Sequence, residues 1–293
     1  MLRFLVVALA WIVVGQQIAT AQPLAFSNFL ASKEQDIGGR IGVMAIDIQS
    51  GRTWQYRPHE RFPMMSTFKP LACAHMLTLA EKGKLDPNDP IPIHETDLVP
   101  YAPVTAGLVG GKGLSLMELC EATLRTSDNV AANLILRATG GPLALTEYLR
   151  SLGDQITRLD RVEVDLNEAK PGDPRDTTTP AAMVALLKKL LLGQGLSETV
   201  QEQLKKWMIA NAVSDTMLRS VLPEGWSIAD RSGAGQNGSR AISALVWKND
   251  GAPVVVAIYV TQARADISKL NAVTAEIGSQ LFQAITVLPP VHD

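Results

Sequence analysis

The sequence predicts an α+β fold: an antiparallel sheet assembled from both ends of the chain, covered by helices, with an all-α part inserted between them. Three observations carry this. Stretches rich in β-branched and aromatic residues lie toward the two termini, the middle repeats its apolar residues at helical spacing, and Gly, Pro and Asn punctuate the junctions. Ile41 to Ile48 alternates in the manner of a strand, Ser50-Gly51 supplies the turn, and Thr53 to Arg57 reads as the returning strand. Trp226 to Arg231, Ala241 to Trp247 and Val254 to Thr261 read as three further antiparallel strands. The helices are expected over Thr67 to Glu81, Leu116 to Thr126, Asn129 to Ala138, Leu143 to Leu152, Pro180 to Leu192, Glu198 to Ala210 and Asp266 to Ile285. The α/β part then takes about residues 22–60 and 211–293, the helical part about 61–210, and both belong to one domain, 22–293.

Residues 1–21 stand apart. Arg3 precedes an apolar run from Phe4 to Val14, and Ala19-Thr20-Ala21 closes the segment, which is the order of a secretory signal peptide cleaved near Gln22. The expectation is an exported protein, periplasmic or secreted. No Cys stands near the cleavage site to take a lipid and no later stretch is long enough to span a bilayer, so no membrane anchor is expected after cleavage. A formal net charge of -2 excludes the basic field of a nucleic-acid partner and suits small neutral or anionic ligands. Export puts Cys73 and Cys120 where disulfides persist, although spacing alone does not choose between a bridge and two buried thiols. The four histidines, His59, His75, His94 and His292, show no zinc-binding spacing, and no G-x-S-x-G elbow or phosphate-binding glycine motif occurs.

Three short motifs carry chemistry. Ser66-Thr67-Phe68-Lys69 opens a helical pattern, and residues three apart on a helix share a face, so the Lys69 amine can lie beside the Ser66 hydroxyl. A serine needs a base to become a nucleophile, and a desolvated lysine can serve as one. Pro70 fits only if the helix starts here, where its missing N–H is one of the donors without a helical partner. In Ser127-Asp128-Asn129 a hydroxyl can hand a proton to a leaving nitrogen, and the Asn129 amide can bind a carbonyl or hold the lysine. Plain helix capping by Ser127 or Asp128 explains the same residues equally simply. Arg231-Ser232-Gly233 reads as a strand end that a flat ligand approaches closely, with the cation attracting its carboxylate.

Together the three resemble the S-x-x-K, S-D-N and K-T-G set of class A serine β-lactamases and penicillin-binding proteins, the third reading Arg-Ser-Gly instead of Lys-Thr-Gly. The resemblance runs from about Phe26 to the end, and residues 158–167 resemble the family's Ω-loop. It implies a β-lactamase/transpeptidase-like fold and an enzyme that hydrolyses the β-lactam ring of penicillins and some cephalosporins through a serine acyl-enzyme, conferring resistance. Ser66, Lys69, Ser127 and Glu163 are then catalytic. Glu163 with Asn167 would hold the water that cleaves the acyl-enzyme, which separates hydrolases from the transpeptidases and β-lactam receptors that stay trapped as esters. Arg161 and Asp176 would close the neck of that loop, while the N–H groups of Ser66 and Ala234 would form the oxyanion hole. Tyr101 would wall the cleft, and Arg240 would be the second cation, beside Arg231, Ser232 and Gly233. Cys73 and Cys120 fall where many class A enzymes carry a disulfide. Arginine in the third motif, within Ala229 to Gly235, is similar to the carbenicillin-hydrolysing branch. The implied enzyme is monomeric, needs no cofactor or metal, and takes a small-molecule β-lactam as its only partner.

Overall fold

The computed structural model describes residues 24–193, 195–248 and 251–287. The predicted signal peptide lies outside them, as does His292. Strands β1 (Arg40–Asp47) and β2 (Thr53–Tyr56) form the expected hairpin. Two separate two-stranded ladders pair β3 (Phe62–Pro63) with β6 (Thr177–Thr178) and β4 (Pro90–Ile91) with β5 (Leu114–Ser115). The main sheet adds β7 (Trp226–Gly235), β8 (Ser239–Lys248) and β9 (Val254–Thr261), in the antiparallel order β2-β1-β9-β8-β7. The two ends of the chain therefore meet inside one sheet, at the β1–β9 ladder.

All eight residues of β9 are buried, because the sheet is covered on both faces. Val254, Val256, Ile258 and Val260 pack with Ile41, Val43, Ile242 and Val246 against two terminal helices, α1 (residues 24–37) and the closing helix. Val255, Ala257 and Tyr259 point the other way, into the core of the helical part. That part holds α2 (Lys69–Glu81), α3 (Leu116–Thr126), α4 (Asn129–Ala138), α5 (Gly141–Ser151), α6 (Pro180–Leu191) and α7 (Glu198–Ile209); α8 (Ile267–Val287) closes the chain. Helix starts are chemically marked: Ser115 and Glu118 make a capping box for α3, while Thr179 and Ser197 cap α6 and α7.

Three differences from the sequence reading concern this architecture. Residues 24–37, for which no element is expected above, form a helix: Phe26, Phe29, Leu30 and Ile37 lie at helical spacing and bury one stripe against the sheet. Ser66 sits in a 3-10 turn, Met65–Phe68, and the α-helix begins only at Lys69, with Pro70 in its first turn. The third difference lies in β7, which does not end at Arg231-Ser232-Gly233 but runs on to Gly235, where it pairs with Ser239 in the hairpin to β8. The Arg-Ser-Gly triplet is therefore held in regular ladder geometry on the edge strand. A bond between Cys73 and Cys120, with Cα atoms 5.8 Å apart, ties α2 to α3 and leaves neither thiol unpaired.

Candidate active site

The 3-10 turn, the α3–α4 junction, the loop after α5 and strand β7 converge on one cluster of buried polar groups. Ser66 is 7% exposed, at the mouth of the cluster, and Lys69 is fully buried. The Lys69 amine donates to the Ser127 carbonyl at 2.9 Å, to Ser127 Oγ at 3.1 Å and to Asn129 Oδ1 at 2.7 Å, and lies 3.2 Å from Glu163 Oε1. Ser66 Oγ donates to Glu163 Oε1 at 3.3 Å and accepts from Ser127 Oγ at 3.3 Å. Serine and lysine are thus joined through Ser127 and Glu163 rather than by a bond of their own. Burial pushes the Lys69 ammonium down to about 8, against the upward pull of the Glu163 carboxylate, and the Arg231 charge adds to the lowering.

The capping question at Ser127-Asp128-Asn129 is answered by division of labour. Asp128 is the cap, accepting from the Ala131 N–H at 2.9 Å, and also takes the N–H groups of Val104 and Thr105. Ser127, at a left-handed φ of 66°, turns its hydroxyl toward Ser66 and Lys69. Asn129 donates from Nδ2 to the Pro100 carbonyl at 2.9 Å, and its backbone N–H donates to the Tyr101 carbonyl at 3.0 Å. Tyr101 itself is exposed beside that junction.

Glu163 reaches the cluster from an irregular loop and is held at both ends. Asn167 Nδ2 donates to its Oε2. Asn133 of α4 grips its backbone, accepting from the Glu163 N–H and donating to the Glu163 carbonyl, each at 2.8 Å. The neck of the loop is closed by Asp176, which accepts from the backbone N–H groups of Asp160 and Arg161 and from Arg161 Nε at 2.6 Å. The Asp176 carbonyl in turn accepts from Met64 N–H at 2.9 Å, so the neck is fastened to the segment that carries Ser66.

Strand β7 forms the opposite wall. A Cβ at Gly233 would come within 2.8 Å of the Ser66 backbone nitrogen, and one at Gly235 within 2.9 Å of the Asn167 carbonyl oxygen, so glycine is what lets the strand close on both. Arg231 is 1% exposed and Arg240 is 7% exposed. Burial lowers each to about 10, which leaves both fully charged at neutral pH. Arg240 donates to the Gly233 carbonyl at 3.0 Å and to Asn271 Oδ1 at 2.7 Å, while Ser232 Oγ donates to the Val213 carbonyl at 3.2 Å. A cavity of about 460 Å³ between α7 and β8 lies apart from all of these groups. Chemistry, not concavity, marks the site.

Comparison with known proteins agrees with that chemistry. A family model described as the β-lactamase enzyme family matches residues 25–285. β-Lactamase CARB-3 of Pseudomonas aeruginosa is 50% identical over 253 residues, which is 86% of this chain and 88% of the relative; PSE-1 of the same species is 49% identical over the same shares. The crystal structure of the chromosome-encoded β-lactamase of Vibrio parahaemolyticus superposes with a TM-score of 0.88 at 48% identity, covering 90% of this chain and 100% of that one. An ancestral class A β-lactamase gives 0.86 at 48% identity, covering 88% and 99%. This chain belongs to the class A β-lactamase family. It is a serine β-lactamase, a hydrolase that opens the β-lactam ring and confers resistance.

Within this β-lactamase, sequence reasoning missed two groups of residues. Asn133 carries no motif signal, being one polar residue on a helix facing the loop. Buried Asp230 and Asn211, with half-buried Arg219, form a network beside Arg231; a carboxylate directly preceding the arginine in a strand was the one visible hint.

Proposed function

We propose that turnover is a two-step acyl transfer to water, with Ser66 as nucleophile and Glu163 as the base of the second step. The observation that carries this is the buried Glu163 carboxylate 3.3 Å from Ser66 Oγ, brought there from 97 residues away in sequence. Ser66 Oγ attacks the lactam carbonyl and gives its proton to Glu163, directly or through a water, or by way of Ser127 to a neutral Lys69. The N–H groups of Ser66 and Ala234 bind the oxyanion, which exists only as the transition state is reached. As the C–N bond breaks, Ser127 passes its proton to the lactam nitrogen and is reprotonated through Lys69 with the proton taken from Ser66, which leaves Glu163 ionised for the second step. Glu163, oriented by Asn167, then takes a proton from water; the hydroxide attacks the ester, and Ser66 leaves with the proton returned to it. Arg231, Ser232 and Arg240 bind the substrate carboxylate, Asn129 its side-chain carbonyl, and Tyr101 walls the cleft. Arg161 and Asp176 hold the loop. No cofactor or metal enters the cycle.

The test is Glu163→Ala with a penicillin. Mass spectrometry is expected to find the acyl adduct accumulating while turnover falls by roughly 10³-fold; rapid turnover without adduct would remove Glu163 from this role. The substrate range includes carboxypenicillins, a reading supported by Arg-Ser-Gly in the third motif. Comparable kcat/KM for carbenicillin and benzylpenicillin is expected, and a strong loss with the carboxylated drug would refute it.

The enzyme is further read as an exported periplasmic monomer, residues 22–293, freed of residues 1–21 and of any membrane anchor. Among the described residues no helix is long and apolar enough to cross a membrane. Native mass spectrometry of protein from the periplasmic fraction tests this reading, which a dimer or a retained leader would overturn.

A further inference from the structure

Arg231 lies on an edge strand beside two groups that could neutralise or misdirect it. Its guanidinium donates from NH1 to Asn211 Oδ1 at 3.1 Å and to the Leu124 carbonyl at 3.4 Å, and its Nε has no partner among the described residues. The neighbouring carboxylate, Asp230, is fully buried and is engaged elsewhere, accepting from Arg219 Nε at 2.8 Å. Asn211 stands between the cation and the carboxylate. It is 4% exposed, its oxygen faces Arg231 and Val213 N–H, and its Nδ2 donates to Asp230 Oδ2 at 3.1 Å and to Ser214 Oγ at 2.8 Å. The Asn211 amide offers an acceptor to the cation and a donor to the carboxylate from opposite ends of one uncharged group. Aspartate at this position would press a second carboxylate on Asp230, and an apolar residue would leave the guanidinium with a single long bond to a carbonyl.

We propose that Asn211 is a positioning residue for Arg231: it aims the guanidinium by a hydrogen bond to an uncharged acceptor while keeping Asp230 with Arg219, so that the positive charge remains available to the carboxylate of the substrate. The position of Asn211 is itself set by the end of α7, where its backbone N–H donates to the Met208 carbonyl. Val213, two residues on, accepts from Ser232 Oγ, so one short segment holds two adjacent residues of the third motif. This inference rests on the reading of Arg231 as a carboxylate-binding cation.

A double-mutant cycle with Asn211→Ala and Arg231→Gln separates the two. With benzylpenicillin, Asn211→Ala is expected to lower kcat/KM about tenfold while kcat stays within threefold, the loss of one charge-assisted hydrogen bond. In the Arg231→Gln background the same substitution is expected to change kcat/KM less than twofold, because its effect passes through the arginine. With benzylpenicillin methyl ester, which lacks the anion, Asn211→Ala is expected to cost less than twofold. Additive losses, or equal losses on acid and ester, would overturn the role of Asn211. An Arg231→Gln enzyme with unchanged KM for benzylpenicillin would instead overturn the reading beneath it. Asn211→Ser, which keeps a small polar group, carries the same measurements should the alanine variant not fold.

Discussion

Ser66 and Glu163 end 3.3 Å apart, yet the molecule positions them by opposite means. Ser66, Lys69 and Ser127 sit at the starts and ends of helices, where backbone geometry and a packed core set each side chain. Ten residues of α2, Lys69 through Thr78, are buried, so the helix that carries Lys69 has little freedom to shift. Glu163 has no such frame. It hangs on a loop whose shape is imposed by point contacts: Asn133 on its backbone, Asn167 on its carboxylate, and Arg161 with Asp176 at the neck. The lesson is that the two chemical steps have different sensitivities. On the proposed mechanism, acylation depends on a rigid scaffold, and deacylation on a handful of polar clamps whose loss leaves the scaffold intact.

Three measurements press on that contrast. The largest effect is expected for Ser66→Ala, which should remove both adduct formation and turnover, with kcat falling by about a millionfold. Persistence of either would break the scaffold half of the comparison. Next comes pH. In Glu163→Gln the carboxylate that raises Lys69 is gone, so Lys69 should ionise below its value of about 8 in the native enzyme. Single-turnover acylation by this variant should then rise with pH, roughly tenfold per unit, to a plateau reached below 8. A flat profile from pH 5 to 9 would exclude Lys69 as the acylation base. The smallest effect is at the neck: Asp176→Ala strips acceptors from two backbone N–H groups and from Arg161 and should cost about 3 kcal/mol by thermal denaturation. Deacylation should slow about tenfold while acylation changes little, and equal slowing of both steps would erase the distinction between the two regions.

Legibility from sequence follows the same division. The boundaries of α3 and α4 were readable to the residue, because Ser115 with Glu118 and Asp128 are local stop and start signals. Residues 24–37 carry an apolar stripe at helical spacing but no capping signal of comparable strength. The extension of β7 through Gly235 was not readable, since Gly-Ala-Gly signals a turn unless a partner strand, here Ser239 and Arg240, continues the ladder. Asn133 and Asn211 were invisible for a deeper reason: each acts on a residue 30 or 20 positions away, and nothing in their neighbours announces it.

Composition, periodicity and capping residues were enough to specify most of the helices and the main-sheet strands, and the motifs were enough to single out Ser66, Lys69 and Ser127 as candidate site residues. These are short-range properties, written in side chains a few positions apart. Folding settled the rest: that Glu163 faces Ser66, that Asp128 caps so that Ser127 is free to face Lys69, and that Asn211 parts Arg231 from Asp230. Burial and distance are relations between segments far apart in the chain, and they exist only once the core has closed around them.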